Sequence, residues 1–271
     1  MSMEKNRLRR ALADQSALLG ALVTMPGWVI PRVLARAGYG MLVFDWQHEP
    51  FTEASMAESI ASGVAAGCVC LVRTAVGRPD QIGLVLDMGA HGVLVPMVRD
   101  AQDAQTAADA CRYPPRGTRS IGGNRQQLLH GRDYFSDADG DVICAIQVEH
   151  IDAVRNIDSI LAVKGIDAVV PGPVDLTSSL GHAASYNVMR DTPTETVQGL
   201  ETVRQACARA GIIYIAACES RAQAQACRAA GQRIALSGSD ISLLTRAARD
   251  QVKSILGTFE SNDNNPSQAK E

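Results

Sequence analysis

The sequence predicts an α/β fold in which eight strand–helix units close into a single-domain (β/α)₈ TIM barrel. Three observations favour this fold class. The chain has 271 residues, the usual size of one such barrel. Its hydrophobic content is 46% with only 4% aromatic residues, so aliphatic side chains would fill a sizeable core. Short apolar runs also alternate with amphipathic, Ala-rich segments along the chain.

Eight apolar runs rich in Val, Ile, Leu and Cys have the length of β-strands. Because they are almost continuously apolar, they are typical of strands covered by helices on both faces, which favours a parallel sheet. In chain order they occupy roughly residues 17–24, 40–46, 68–74, 92–98, 142–149, 166–171, 212–218 and 233–237.

The segments between these runs have the composition and periodicity of helices. Several of them end at a glycine, the residue that commonly closes a helix, as at Gly67, Gly165, Gly211 and Gly231. The helix candidates include 52–66, 78–90, 100–112, 151–164, 194–210 and 220–230.

Two connections, 114–140 and 172–193, are longer than ordinary loops, which favours a role in function or in contacts between subunits. Residues 1–260 are expected to form the catalytic barrel domain, and the polar tail 261–271 is expected to be disordered. An open, doubly wound sheet is the alternative fold. It would need a G-x-G-x-x-G turn after an early strand, and the chain has none.

Composition also limits the partners and the location of the protein. The formal net charge of −3 and the lack of a basic stripe argue against nucleic acid. No apolar run approaches the ~20 residues of a membrane helix. The N-terminal segment is too short and broken for a secretory signal. Seven cysteines without a CxxC pair indicate reduced thiols, so we expect a cytoplasmic protein that binds small molecules.

Ionisable residues follow the predicted strands, and strand ends are where such folds build active sites. Glu149 and Asp175 follow the fifth and sixth strands, so two carboxylates are expected side by side. A divalent cation would relieve their repulsion, and oxygen ligands suit Mg²⁺, Mn²⁺ or Co²⁺. The alternative is that both acids cap helices.

Other polar residues at strand ends complete the candidate site. Arg73 and Gln147 would point into the barrel by strand alternation. Arg73 would bind an anionic substrate oxygen, or alternatively form an ion pair with Asp45. His48 follows Asp45 by three residues, and a carboxylate beside an imidazole is the usual arrangement of a general base.

Arginines in the first long connection complete the set of candidates. Arg116, Arg119 and Arg125 are expected to meet an acidic substrate tail or a neighbouring subunit. The few lysines, Lys5, Lys164, Lys253 and Lys270, avoid every strand end, so a Schiff base is not expected.

Taken in order, several segments resemble the class II pyruvate aldolases of the HpcH/HpaI (hydroxyoxoheptanedioate aldolase) family. They are GMLVFDWQHEP, VCLVRT, GVLVPMVRDAQDA, RYPPRGTRSIGG, IQVEH, GPVDLTSSLG and GSDISLL, and the resemblance spans about residues 17–256. It implies a (β/α)₈ barrel, a homo-oligomer (hexamer or trimer) and a divalent metal that binds a 2-oxo acid. Many members carry glutamate where this chain has Gln47, which leaves the substrate open.

By resemblance, the metal ligands are Glu149 and Asp175, and Arg73 stabilises an enolate. His48 and Asp45 form the catalytic dyad. The substrate carboxylate binds to backbone amides around Val174 and Asp175, with Gln147 beside it.

The implied reaction cleaves a 4-hydroxy-2-oxo acid to pyruvate and an aldehyde, and also runs in reverse. The same site could instead decarboxylate oxaloacetate or cleave an acyl-CoA thioester. A non-catalytic barrel that binds a keto acid is the alternative of another class, and the retention of all the polar positions argues against it.

Overall fold

The computed structural model describes residues 16–122, 125–183 and 191–262 of the chain. All strands within these residues form one parallel sheet, in the spatial order β7-β6-β5-β4-β3-β2-β1-β9-β8. The strands are β1 (Leu18–Val23), β2 (Met41–Asp45), β3 (Val69–Arg73), β4 (Gly92–Val95), β5 (Ile143–Val148), β6 (Ala168–Pro171), β7 (Ile213–Tyr214), β8 (Ala216–Ala217) and β9 (Ile234–Ser239).

The sheet closes on itself through an interrupted seventh strand. Only Ile215 separates β7, which pairs with β6, from β8, which pairs with β9. The Ile215 amide donates to the Val169 carbonyl (2.9 Å), and the Cys218 amide donates to the Leu236 carbonyl (2.8 Å). Because β1 pairs with both β2 and β9, the expected eight-unit barrel is confirmed. The open doubly wound sheet is therefore wrong.

Helices fill the connections between the strands. The described helices are α1 (Val29–Arg36), α2 (Glu53–Ala65), α3 (Pro79–Asp87), α4 (Ala101–Cys111), α5 (Arg125–His130), α6 (Tyr134–Asp141), α7 (Ile151–Arg155), α8 (Ile157–Leu161), α9 (Pro173–Ser179), α10 (Thr194–Ala210), α11 (Arg221–Ala229) and α12 (Asp240–Asn262). None of these helices combines the length and apolar character needed to cross a membrane.

The sequence predicted most of these helices but missed several. The helix expected at 151–164 is two helices that meet at Asn156. The long connections contain α5, α6 and α9, and α1 and α12 were not predicted either. The four closing glycines do adopt positive φ angles, between 70° and 101°.

Four segments of the chain lie outside the described residues, and the shortest is residues 123–124 in the first long connection. The other three bear on expectations from the sequence. They are residues 1–15, which include the N-terminal segment assessed as a signal, residues 184–190 of the second long connection, and most of the expected disordered tail, 263–271. The boundary expected after residue 260 falls inside α12, which runs to Asn262.

Alternate residues of each strand build two apolar layers. On β2, for example, Met41 and Val43 belong to the layer inside the barrel, whereas Leu42 and Phe44 pack outward against the helices. The seven cysteines all lie within the described residues and form no disulfide bond, and six of them are buried. By the same alternation, the side chains of Asp45 at the end of β2 and Arg73 at the end of β3 point into the barrel.

A buried carboxylate joins the segments that follow β1 and β9. Asp240, the first residue of α12, is 4% exposed. It accepts hydrogen bonds from the Thr24 amide (3.0 Å), the Thr24 hydroxyl (2.5 Å) and the Met25 amide (3.0 Å). The loop after β1 is thereby attached to the residue after β9.

Among the described residues, no helix covers one flank of the barrel. On the outer face of β1, Leu19 is 41% exposed, and α11 has no buried residue. The long helix α12 leaves apolar side chains in solvent at Ile241, Leu244, Val252, Ile255 and Leu256, and α1 does the same at Val29 and Val33.

Candidate active site

At the carboxyl ends of β2 and β3, Asp45 and Arg73 form a two-point ion pair. The strand register places the two residues opposite each other. Arg73 Nε donates to Asp45 Oδ1 (3.0 Å), and Arg73 Nη2 donates to Asp45 Oδ2 (2.6 Å). Asp45 is only 1% exposed. The ion pair that the sequence left as an alternative for Arg73 is therefore present.

The Asp45 carboxylate contacts the backbone of His48 but not its imidazole. Asp45 Oδ1 accepts from the amides of Gln47 (3.1 Å) and His48 (3.4 Å). The His48 side chain is exposed, and no hydrogen bond joins its ring to Asp45 within the described residues. The expected contact between carboxylate and imidazole is thus replaced by the pair with Arg73. A planar guanidinium on the adjacent strand can reach both carboxylate oxygens, whereas His48 lies three residues further along a turn.

The fifth strand contributes Gln147 and, directly after it, Glu149. Gln147 lies on the inner face with Ile143 and Ala145, and Glu149 continues this alternation. The two residues are 7% and 2% exposed. Arg73 Nη1 lies 3.5 Å from Gln147 Oε1, so the guanidinium spans the gap between Asp45 and the fifth strand.

Burial raises the pKa of the Glu149 carboxyl to about 7. The Met97 amide donates to Glu149 Oε1 (2.8 Å) and opposes this increase, as does the positive charge of Arg73. The neighbouring Asp175 carboxyl raises the pKa further by charge repulsion and by hydrogen bonding to Glu149. The carboxyl groups of Glu149 and Asp175 are therefore close neighbours.

Asp175 lies in the first turn of α9, which follows β6, and its side chain is exposed. The first intrahelical hydrogen bond of α9 runs from the Leu176 amide to the Gly172 carbonyl (3.0 Å). The amides of Val174 and Asp175 precede this bond and have no acceptor inside the helix. They are suited to bind a carboxylate.

The donor set fits a hard divalent cation. Glu149 and Asp175 offer carboxylate oxygens, and a cation would remove the repulsion that raises the pKa of Glu149. Within the described part of the chain, no group of three or more His, Cys, Asp and Glu side chains is placed to hold a metal. A cation held by these two carboxylates would have its other positions open to water and substrate, an arrangement that Mg²⁺ commonly adopts.

Two residues near Glu149 were missed by the sequence analysis. A Cβ atom at Gly172 would lie 2.4 Å from Glu149 Cβ, so this position accepts only glycine without a shift of Glu149. Met97 has a φ of 56°, in the left-handed region. Gly172 stands inside the quoted segment GPVDLTSSLG, whereas a left-handed methionine has no signature in the sequence.

In the first long connection, Arg119 lies away from the site. Arg119 is 3% exposed, and its Nη2 donates to Asp87 Oδ1 (2.6 Å). Asp87 ends α3 and so lies at the amino end of the barrel, opposite the site. The expected contact of Arg119 with a substrate tail is therefore wrong. Arg116 is exposed, and the side chain of Arg125 lies outside the described residues.

Comparison with known proteins finds a family and several relatives named as aldolases. The sequence profile of the HpcH/HpaI aldolase/citrate lyase family matches residues 29–247. A hydroxypyruvate/pyruvate aldolase of Rhizorhabdus wittichii is 34% identical over 91% of this chain and 97% of its own length. A 2-keto-3-deoxy-L-rhamnonate aldolase of Klebsiella pneumoniae is 31% identical over 89% of this chain and 90% of its own length. The crystal structure of an HpcH/HpaI aldolase/citrate lyase family protein from Burkholderia cenocepacia is similar, with a TM-score of 0.84 and 28% identity over 92% of this chain and 99% of that one.

Proposed function

Because the chain belongs to the HpcH/HpaI aldolase/citrate lyase family, we propose that it is a divalent-metal-dependent class II aldolase that reversibly cleaves a 4-hydroxy-2-oxo acid to pyruvate and an aldehyde. One observation carries the proposal. The neighbouring carboxyls of Glu149 and Asp175 lie at the same end of the barrel as the Arg73 guanidinium, which reaches towards Gln147. This combination offers ligands for a cation beside a fixed positive charge.

Glu149 and Asp175 would hold the cation, Mg²⁺, Mn²⁺ or Co²⁺, which when bound supplies positive charge that polarises the ketone of the substrate. The amides of Val174 and Asp175 bind the substrate carboxylate. Gln147, whose Nε2 would lie 3.1 Å from a Cβ atom at Gly172, orients the 2-oxo group. These contacts hold the reacting carbons in one position relative to the charged groups.

Arg73 supports cleavage of the bond between C3 and C4. The electron pair of that bond becomes the enolate of pyruvate, and the guanidinium stabilises the negative charge on the enolate oxygen. Asp45 holds this guanidinium by two hydrogen bonds and so fixes its orientation. Asp45 thus acts through Arg73.

His48 moves the proton at the aldehyde end. Its exposed imidazole takes the proton from the 4-hydroxyl group as the C3–C4 bond breaks. The enolate then receives a proton at C3 from water, which yields pyruvate, and the imidazolium of His48 returns its proton to the solvent. In the direction of synthesis, the same imidazole returns its proton to the new hydroxyl.

The names of the relatives, and Gln47 at a position where many family members carry glutamate, guide the choice of substrate. We propose pyruvate or hydroxypyruvate as the 2-oxo acid, because the Rhizorhabdus wittichii relative is named for both. Gln47 is neutral, and its Oε1 is buried without a hydrogen-bond partner among the described residues. This oxygen is available to accept a hydrogen bond from a hydroxyl group of the aldehyde.

A homo-oligomer, either a hexamer or a trimer, accounts for the uncovered flank. The apolar face of α12 has no partner within the described chain, and neither does Leu19 on the outer face of β1. A second copy of the chain that contributes its α12 would cover this flank, where the described residues include no helix. Seven cysteines without a disulfide bond support a reducing location such as the cytoplasm.

Pyruvate release from 4-hydroxy-2-oxo acids tests the function. The wild type should release pyruvate, lose this activity when exhaustively chelated, and regain it with Mg²⁺, Mn²⁺ or Co²⁺, while remaining folded throughout. Glu149→Gln and Asp175→Asn should stay inactive after the metal is added. Full activity in chelated protein would contradict the proposal.

The alternatives give different results in the same assay. Turnover of oxaloacetate alone would indicate a decarboxylase, and a requirement for a coenzyme A thioester would indicate a thioester lyase. A protein that binds pyruvate but turns over none of these compounds would be a non-catalytic keto-acid-binding barrel.

A further inference from the structure

Met97 adopts a backbone conformation that side-chain-bearing residues avoid. It is the one non-glycine residue with a positive φ among the described residues, at 56°. Such a conformation persists only where the surrounding structure holds it, and it often occurs at functional sites. Here it accompanies a direct contact, because the Met97 amide donates to Glu149 Oε1 at 2.8 Å.

Gly172 lies against the Glu149 side chain on another side and leaves it just enough space. A Cβ atom at this position would lie 2.4 Å from Glu149 Cβ, 2.8 Å from Glu149 Oε2 and 3.1 Å from Gln147 Nε2. Its φ of −114° is open to any residue, so the position requires glycine for space alone. Gly172 is itself held in place, because its amide donates to the Val148 carbonyl (3.0 Å) and its carbonyl accepts from Leu176.

These two contacts come from the two strands that flank β5. Met97 follows β4, and Gly172 follows β6, whereas Glu149 follows β5 between them. We propose that Met97 and Gly172 are positioning residues that hold the Glu149 side chain in one orientation, with Oε1 bound by the Met97 amide and Oε2 left as a ligand for the cation. This inference rests on the proposed function only in taking Glu149 as a cation ligand.

The fixed orientation of Glu149 should affect the affinity for the cation. A ligand held in position before binding loses little freedom when the cation arrives, and residues that orient a metal ligand typically change metal affinity by about 10–100-fold when altered. Displacement of Glu149 should therefore weaken cation binding even though both carboxylates are retained.

The test is a Mn²⁺ titration of the chelated and dialysed full-length protein by isothermal calorimetry, without substrate. Gly172→Ala should weaken Mn²⁺ binding at least ~10-fold, because the added methyl group displaces Glu149. Gly83→Ala is the matched control, because a Cβ atom at Gly83 meets no atom within 4 Å. It should bind Mn²⁺ like the wild type.

Substitutions at Met97 test the backbone conformation separately. Met97→Val should weaken Mn²⁺ binding by about 10-fold, because a β-branched residue resists a positive φ. Met97→Gly and Met97→Asn should stay within about 3-fold of the wild type, because both residues adopt the left-handed region readily. Recovery by these two residues, which share no side-chain chemistry with methionine, would show that the backbone conformation matters.

The outcomes separate this inference from the proposed function. Wild-type affinity in both Gly172→Ala and Met97→Val would overturn the positioning role. Equal Mn²⁺ binding by the wild type and Glu149→Gln would instead show that Glu149 is not a ligand, which contradicts the metal site itself. If Gly172→Ala fails to fold by circular dichroism, the Met97 series decides alone.

Discussion

Loss of the Arg73 guanidinium should destabilise the whole barrel as well as reduce catalysis. In Arg73→Met the Asp45 carboxylate, 1% exposed, loses hydrogen bonds of 3.0 and 2.6 Å and keeps only two backbone amide donors. Breaking a buried ion pair from one side typically costs about 3–5 kcal/mol, because the remaining charge is left without a partner. At about 2–4 °C per kcal/mol for a domain near this size, Tm should fall by about 6–20 °C.

Urea denaturation of four variants measures this effect. Arg73→Lys keeps the charge without the planar group and should be intermediate in stability, with aldol turnover at least ~10-fold below the wild type. The double variant Arg73→Met with Asp45→Asn should recover much of the lost stability, because it leaves no buried charge. Asp45→Asn alone completes the double-mutant cycle.

Two results would refute the reasoning about this pair. A loss below about 1 kcal/mol in Arg73→Met would mean that Asp45 is paired or hydrated in another way. Strictly additive effects in the double variant would mean that the two side chains do not interact.

Two further predictions concern the proton and the assembly. His48→Ala should strongly reduce the rate of cleavage of 4-hydroxy-2-oxo acids. It should change the rate of oxaloacetate decarboxylation much less, because that reaction needs no deprotonation of a hydroxyl group. Equal loss of both rates would place His48 in ligand binding instead. Leu244→Glu puts a charge on the exposed apolar face of α12 and should lower the mass of the assembly measured by analytical ultracentrifugation. The control Arg249→Gln, on the same helix, should leave this mass unchanged. An unchanged mass in both variants would argue against contact between subunits through this face.

The strands were predictable from the sequence because both faces of this barrel are buried. Runs such as MLVFD and VCLVR fill the inner and outer layers at once, so each strand appears as a continuous apolar segment. Helix α9 was missed because Thr177, Ser178 and Ser179 are poor helix formers. Only Pro173 at its first position indicated a helix.

The partners of charged residues were harder to predict than their positions. Strand alternation pointed Arg73 into the barrel, but it could not decide whether Asp45 would pair with Arg73 or with the His48 ring. That choice depends on the register between β2 and β3, which places Arg73 opposite Asp45. The partner of Arg119, Asp87, lies 32 residues earlier in the chain, and no local pattern connects the two.

The hydrogen bonds from Thr24 and Met25 to Asp240 have a consequence for synthesis of the protein. They join residues separated by 216 and 215 positions, so they form only after Asp240 has left the ribosome. Until then β1 has an unpaired edge, because its second neighbour is the final strand. Contacts this distant in sequence are also slow to form. The growing chain must therefore carry an open sheet edge until its last strand arrives, and a chain that ends before β9 cannot complete the ring.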